Sequence, residues 1–467
     1  MKKVFGILAA SLLLAAPAMA QEVPQNTEPV YNCDFQPSCE VAPGVYGKMA
    51  SPVKSKFNLS IGGFVKLDYA YNSTNFGSYG ALTPGSGAIP KTSSLQGETD
   101  QSIFTARQSR FWLKVGGPGF LGAKTNALIE VDFYGTPADA AESPQIRMRQ
   151  AWGSMDWANT SVLFGQAYDV FGPMVASTVD FRSGAAFGTP NNPRVPQLRV
   201  TQKLNLNPEN SLKLVAGIQD PNQNANNNAG ATLATGSFGT AVNIAGQAMW
   251  VSKTLGVSPG YWGLSMNSLT AGLFGLYGSE KVLAVTGNKA VDSWGYGFYT
   301  FVPVLKSKDG KSRAMTMSFE GQAYMAANMA FNSATADTIV GTTDNLKPAK
   351  GYGLAGQVIF YPTQDLGITA GCQRRNAYNY NDYATRNITF APNTAKALGG
   401  SNFLKSSTNI YVNVSYDLNA AIRVSAEYQN VNTQYGNSTD VATSTSLAGT
   451  SGTGTANIGR LAFLYFF

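Results

Sequence analysis

The chain has 467 residues, and Asp, Glu, Lys and Arg make up only 13% of them, against roughly 25% in an ordinary globular protein. Its 34 basic and 27 acidic side chains give a formal charge of +7, with no basic run of the kind that binds nucleic acid. It contains no histidine, which excludes Ser-His-Asp hydrolysis, histidine-ligated zinc or haem and the usual imidazole pH switch, so neither an enzyme nor a cofactor is expected.

Residues 1–20 read as a removable export signal. Lys2 and Lys3 precede an apolar run from Val4 to Ala16, and Ala18-Met19-Ala20 supplies the small-x-small cleavage pattern. Without the two leader lysines the formal charge falls from +7 to +5. Beyond residue 20 no apolar stretch approaches the ~18 residues of a membrane helix, and mean hydropathy is −0.10. Few charges, 49 glycines and 11% aromatics suit a β-barrel wall, where apolar outward residues alternate with polar inward ones. A secreted β-sandwich or β-helix is the plainer alternative.

Residues 21–56 are rich in proline and polar residues without a period, and read as an extended periplasmic arm. Cys33 and Cys39 lie close together in this exported segment, which predicts a local disulfide. Cys372 stands alone on the apolar parity of a strand, as a buried or lipid-facing small residue.

From residue 57 to 467 the period is two. In NLSIGGFVKLDYAY, Leu59, Ile61, Val65, Leu67 and Tyr69 share one face, and Ser60, Gly62, Phe64, Lys66 and Asp68 the other. Further strands follow near 104–115, 126–134, 146–157, 161–167, 195–204, 211–219, 241–253, 266–278, 291–304, 312–326, 352–361, 365–376, 407–417, 421–432 and 455–467. The total is sixteen, an even number as in bacterial single-chain barrels. Long and short connections alternate, as external loops and periplasmic turns do, which puts both barrel ends on the periplasmic side. Asp309-Gly310 and Asn207-Pro208 carry turn chemistry. Aromatics near strand ends (Trp152, Trp157, Tyr361, Tyr416, Phe463, Tyr465 and Phe467) are expected at headgroup level. The fold expected is therefore all-β: a transmembrane antiparallel barrel in outer-membrane lipid, with a lumen wide enough to need narrowing.

The connection after the fifth strand, 167–193, the third external loop, is the candidate to fold into the lumen and narrow it; an ordinary surface loop is the alternative. It carries Asp169, Asp180 and Arg182 among glycines and small residues. Parity turns Arg110, Arg147, Arg149 and Arg199 inward, together with Lys66, Arg375 and Arg423. Asp68, Glu130, Asp132, Glu320 and Glu427 are the inward acids. Arg107 has outward parity, which requires either a bulge or a place at the outer rim. Opposed carboxylates and guanidiniums would set up a transverse field that favours charged or dipolar solutes; the plainer reading is that they neutralise each other in a wet lumen.

The segments GGFVKLDYAY (62–71), ARQSRFWLKV (106–115), ALIEVDFYG (127–135), RMRQAWGSMDW (147–157) and VLFGQAYDVFG (162–172) resemble the serial early strands of Gram-negative trimeric porins, closest in flavour to the DcaP-like and phosphate-selective groups. The resemblance covers about residues 57–175. It implies a homotrimer in the outer membrane, passive uptake of small, often anionic hydrophilic solutes, and constriction roles for Arg110, Arg147 and Arg149. DcaP-like proteins carry an N-terminal heptad-rich coiled coil, whereas residues 21–56 have no heptads. Competing expectations are a channel specific for phosphate or dicarboxylates, which would need a continuous arginine ladder, and a structural or adhesive barrel acting through its long loops.

Overall fold

The computed structural model describes residues 57–76, 89–135, 144–181, 188–189, 194–220, 242–284, 287–329, 339–342, 345–348, 350–377, 386–390, 394–398, 404–435 and 452–467. Residues 1–20 and 21–56, expected to be an export signal and an arm with a Cys33–Cys39 disulfide, lie outside the described residues, as does Arg182.

The strands of the wall are β1 (Asn58–Asn72), β2 (Gln101–Thr105 and, after an interruption, Arg110–Phe120), β3 (Ala123–Gly135), β4 (Gln145–Asp156), β5 (Thr160–Tyr168), β6 (Arg194–Asn205), β7 (Asn210–Gln219) and β8 (Asn243–Pro259). They continue as β9 (Met266–Ala284), β10 (Gly287–Leu305), β11 (Thr316–Ala327), β12 (Lys350–Tyr361), β13 (Leu366–Ala377), β14 (Leu404–Asp417), β15 (Ile422–Tyr435) and β16 (Thr453–Phe466). Each pairs antiparallel with its neighbours in sequence, and β1 pairs with β16 from Phe64↔Phe466 to Asn72↔Ile458, which closes a sixteen-stranded barrel. Gly63 and Phe467 exchange both backbone hydrogen bonds, at 2.9 and 3.1 Å, and complete the seam. A Cβ on Gly63 would lie 2.5 Å from the Arg110 carbonyl oxygen and 2.7 Å from the Phe467 ring, so glycine is required at this seam.

Alternation sorts the side chains into two faces. Val65, Leu67, Phe111, Ile129, Met148, Phe164, Leu198, Ile218, Leu273, Phe298, Val358, Ile410, Phe463 and Tyr465 are exposed on the outside and form an apolar belt, while Lys66, Asp68, Glu130, Asp132, Arg423, Glu427 and Arg460 are buried inside. Lipid offers the backbone no hydrogen-bond partners, so closure of the sheet and an apolar exterior go together. Cys372 is free and exposed, at the lipid-facing alternative of its two expected sites. Among the described residues no helix is long and apolar enough to cross a membrane.

All sixteen expected strands are present. The interruption of β2 at residues 106–109 settles Arg107 in favour of a bulge: the side chain turns away from lipid, is 3% exposed, and donates to Phe133 O and Gly135 O. Ser109 Oγ accepts the Lys66 N–H at 2.9 Å, which fills the gap in the ladder. The connection expected at 279–290 is instead an extension of the hairpin, since β9 and β10 stay paired to Ala284↔Gly287. Of the expected rim aromatics, Phe463, Tyr465 and Phe467 are exposed as anticipated. Trp152 and Tyr361 point inward: Trp152 donates to Gln150 Oε1, and Tyr361 is 3% exposed beneath Arg313.

The short turns share one rim. Asn207, Asp309 and Asn419 each accept from two backbone N–H groups further along their own turn, the local bonding that makes these residues turn formers.

Leu273, 63% exposed in the middle of β9, tests the lipid-facing assignment. Leu273→Arg is expected to destabilise the bilayer-inserted barrel by about 2–4 kcal/mol, read from urea unfolding in vesicles.

Candidate functional site

Strand β5 has nine residues, about half the length of β8 (17) and β9 (19), so the chain leaves the wall at Tyr168 well below the other strands. Residues 169–181 then run along the inward side chains of strand after strand. Gln219 on β7 donates to Asp169 Oδ1 (2.9 Å) and Gln247 on β8 to Val170 O (2.5 Å). The Met174 N–H donates to Gln322 on β11 (3.1 Å), and the Ser177 N–H to Gln357 on β12 (2.8 Å). Asn413 on β14 donates to Ser177 O (2.6 Å), and the Val179 N–H donates to Glu427 on β15 (2.7 Å). The segment thus lies inside the barrel.

Apolar packing secures its first half. Phe171 meets Phe274 and Tyr324 edge-on, with ring centroids 5.0 and 5.8 Å away, and Val170 packs with Met249, Leu276 and Met329 in the same cluster. Burial of each such side chain contributes about 1.5–3 kcal/mol. The second half docks on charge. Lys66 donates to Val179 O (2.7 Å) and Gln108 Oε1 (2.6 Å), and pairs with Asp68 (2.6 Å). Asp180 accepts from Gln108 (2.6 Å) and lies 3.8 Å from Arg460, which pairs with Glu427 at 2.8 Å. All five ionisable side chains are essentially buried, so each depends on its partners. The first long connection also turns in: Ile89 is buried against Val431, Ala456 and Ile458, and its N–H donates to Thr433.

A second charge cluster lines β2–β4. Arg147 makes a two-point contact with Asp132 (2.9 and 2.7 Å), while Arg149 binds Glu130 (2.6 Å), Asp132 (2.8 Å) and the Tyr168 hydroxyl (2.8 Å). Arg110 is 3.6 Å from Glu130. The pairing shifts between Glu130↔Gln150 and Val131↔Met148, so Arg149 is the extra residue of a bulge and shares the inner side with Arg147 and Gln150. Arg147 keeps 39% of its side chain exposed.

A third group lies on β6 and β7. Arg199 pairs in register with Gly217, and Lys203 directly with Lys213, all on inward parity. Among the described residues none of these three cations has a carboxylate within ion-pair distance. Lys203 and Lys213 are exposed.

The expected site residues therefore separate into groups. Arg110, Glu130, Asp132, Arg147 and Arg149 come together; Asp68 and Asp180 meet Lys66, Glu427 and Arg460; Asp169 ties the start of the loop to Gln219; and Arg199 stands with Lys203 and Lys213. The two lysines were not singled out by sequence, although their parity with Arg199 was available. Among the described residues no group of three or more Cys, Asp or Glu is arranged to hold a metal.

No protein-family model and no curated protein matches the chain. Solved structures do. The outer membrane channel DcaP of Acinetobacter baumannii is similar with a TM-score of 0.61 and 16% identity, over 89% of this chain and 98% of that one. Pseudomonas putida OprB is similar with a TM-score of 0.51 and 12% identity, over 88% and 94%. The fold is that of the outer-membrane porins.

Glu427 joins the loop to Arg460. Glu427→Ala is expected to cost about 3–5 kcal/mol, because it leaves a buried guanidinium short of its partner; the shift of the heat-modifiable gel band to lower temperature measures it.

Proposed function

We propose that the chain forms an outer-membrane pore for passive diffusion of small hydrophilic solutes and ions, with a mild preference for anions. The fold and the apolar belt support the membrane assignment. The anion preference rests on one observation: Arg199, Lys203 and Lys213 face the lumen without carboxylate partners among the described residues, whereas Arg110, Arg147 and Arg149 share Glu130 and Asp132. Lys203 and Lys213 sit directly opposite each other, a like-charge pair that costs stability by itself. A passing anion relieves that repulsion, and lysine or arginine suits carboxylate and phosphate groups alike. Resemblance of the early strands to trimeric porins supports a homotrimer.

Planar-bilayer recording in a KCl gradient tests the reading. The expected reversal potential has the anion-selective sign, weakens as salt rises because exposed charges are screened over about 8–10 Å, and moves toward zero in R199Q/K203Q/K213Q. A cation-selective wild type, or a triple variant with unchanged selectivity, defeats the anion claim. Absence of current through the folded barrel defeats the pore.

A further inference from the structure

The short-turn rim is broken at one place. Between β8 and β9, residues Gly260-Tyr261-Trp262-Gly263-Leu264-Ser265 form a single 3-10 turn around Tyr261–Gly263, and Trp262 is only 7% exposed. Its backbone is left-handed (φ 54°, ψ 20°), a conformation that disfavours any residue with a Cβ. Such backbone persists where its surroundings over-determine it. Two glycines make the geometry possible: a Cβ at position 260 would lie 2.2 Å from Asn267 Nδ2, and one at 263, where φ is +65°, would lie 2.0 Å from the Tyr361 hydroxyl.

The tryptophan meets the inward loop from below. Its indole N–H donates to Thr178 O at 3.1 Å, its backbone N–H points to Ser177 Oγ at 3.4 Å, and its ring centroid is 5.0 Å from that of Phe181. It is held from the far wall. Arg423 on β15 donates to Trp262 O (2.9 Å) and lies 5.6 Å over the indole. Arg423 in turn binds Asp417 at 2.5 and 3.0 Å, and Asp417 also takes Arg313 at 2.8 Å. These contacts carry the turn from the β8–β9 side of the barrel to β14 and β15, underneath residues 177–181.

We propose that the turn 260–265 is a clasp that sets the aperture. Wall side chains hold one flank of the loop, and Trp262, positioned by Arg423, props its tip, which packs on β1 and β2 through Lys66, Gln108 and Arg110, at a defined distance from the cations of β4–β7. A turn needed only to join two strands could be two residues long and point into solvent. This one gives up solvent exposure and favourable backbone geometry to reach the loop. The proposal rests on the pore reading for its functional meaning, while the contact itself is testable without current.

Wild type, W262A and W262F are compared in two ways. Amide hydrogen exchange of the folded barrel in detergent reads the contact: residues 177–181 are expected to exchange faster in W262A, and to a lesser degree in W262F, which keeps the ring but loses the indole donor. Unchanged exchange in the folded variants overturns the clasp whatever the conductance. Single-channel recording reads the aperture: W262A is expected to raise conductance about twofold, with a noisier open state and passage of larger sugars in liposome swelling, because conduction follows the width of the constriction. Anion preference should change little, since Arg199, Lys203 and Lys213 are untouched. Conductance and sugar cut-off identical to wild type overturn the aperture role. If W262A does not fold, W262F alone decides, with accelerated exchange and a noisier channel expected and wild-type behaviour in both fatal. A silent wild-type barrel counts against the pore reading and leaves the exchange result to judge the clasp.

Discussion

Lipid supplies no hydrogen bonds to a peptide backbone, and that single deficit shapes this molecule. Every strand must be paired on both sides, so β1 has to find β16, and the Gly63–Phe467 exchange is where the last donors and acceptors are satisfied. Once the sheet is closed, the two-residue period has only one acceptable phase. A slip of one residue would put Lys66 and Asp68 into hydrocarbon and Val65 and Leu67 into the lumen. The distribution of charge inside the barrel is thus a consequence of the closure outside it.

Closure creates a second problem, because a cylinder of sixteen strands is too wide for its own side chains to fill. The chain answers with residues 169–181, and the way they are held is instructive. Their backbone carries donors and acceptors that must be matched inside the protein. Gln247, Gln322, Gln357 and Asn413, from four different strands, meet that need, and Gln219 binds the Asp169 carboxylate. An amide side chain both donates and accepts and has no charge to desolvate. Gln357 uses both ends: it accepts from the Ser177 N–H and the Tyr411 hydroxyl, and donates to Val175 O and Glu320. Apolar packing around Phe171 then makes one side of the barrel interior resemble the core of a soluble protein.

Strand positions and face assignments were legible in the sequence because alternation is a local signal, repeated in every strand. What escaped was whatever breaks the period. Arg149 sits at a bulge that brings Gln150 to the same side, and nothing in RMRQ announces the extra residue. Trp152 shares the outward parity of Met148 in the sequence, and the same bulge turns it into the lumen. The amides of Gln247, Gln322, Gln357 and Asn413 read as generic lumen polar groups, since their partners are backbone atoms of a distant loop. Inside that loop there is no period at all, so the acids 169 and 180 could be placed in the lumen but not given neighbours. Trp262 did carry a signal: an aromatic pair flanked by two glycines, GYWG, in a turn that needs neither.

The neighbours of those acids alter the electrostatics of the opening. A field between an acidic loop and a basic wall would require Asp169 and Asp180 to face the arginines of β2–β4. Instead Asp169 accepts from Gln219 and from the Phe171 N–H, and Asp180 is bound by Gln108 near Arg460. Both are buried and hydrogen-bonded within the protein, and Asp180 has Arg460 3.8 Å away. Across a water-filled gap, screening at physiological salt suppresses charge effects beyond about 8 Å, so buried and compensated groups contribute little to what a solute feels. The cations left exposed on the wall dominate by default. In the pore reading proposed above, selectivity therefore arises from where the loop acids are neutralised as much as from where the wall cations stand. An acid moved from its anchor into the opening would weaken the loop and the anion preference together.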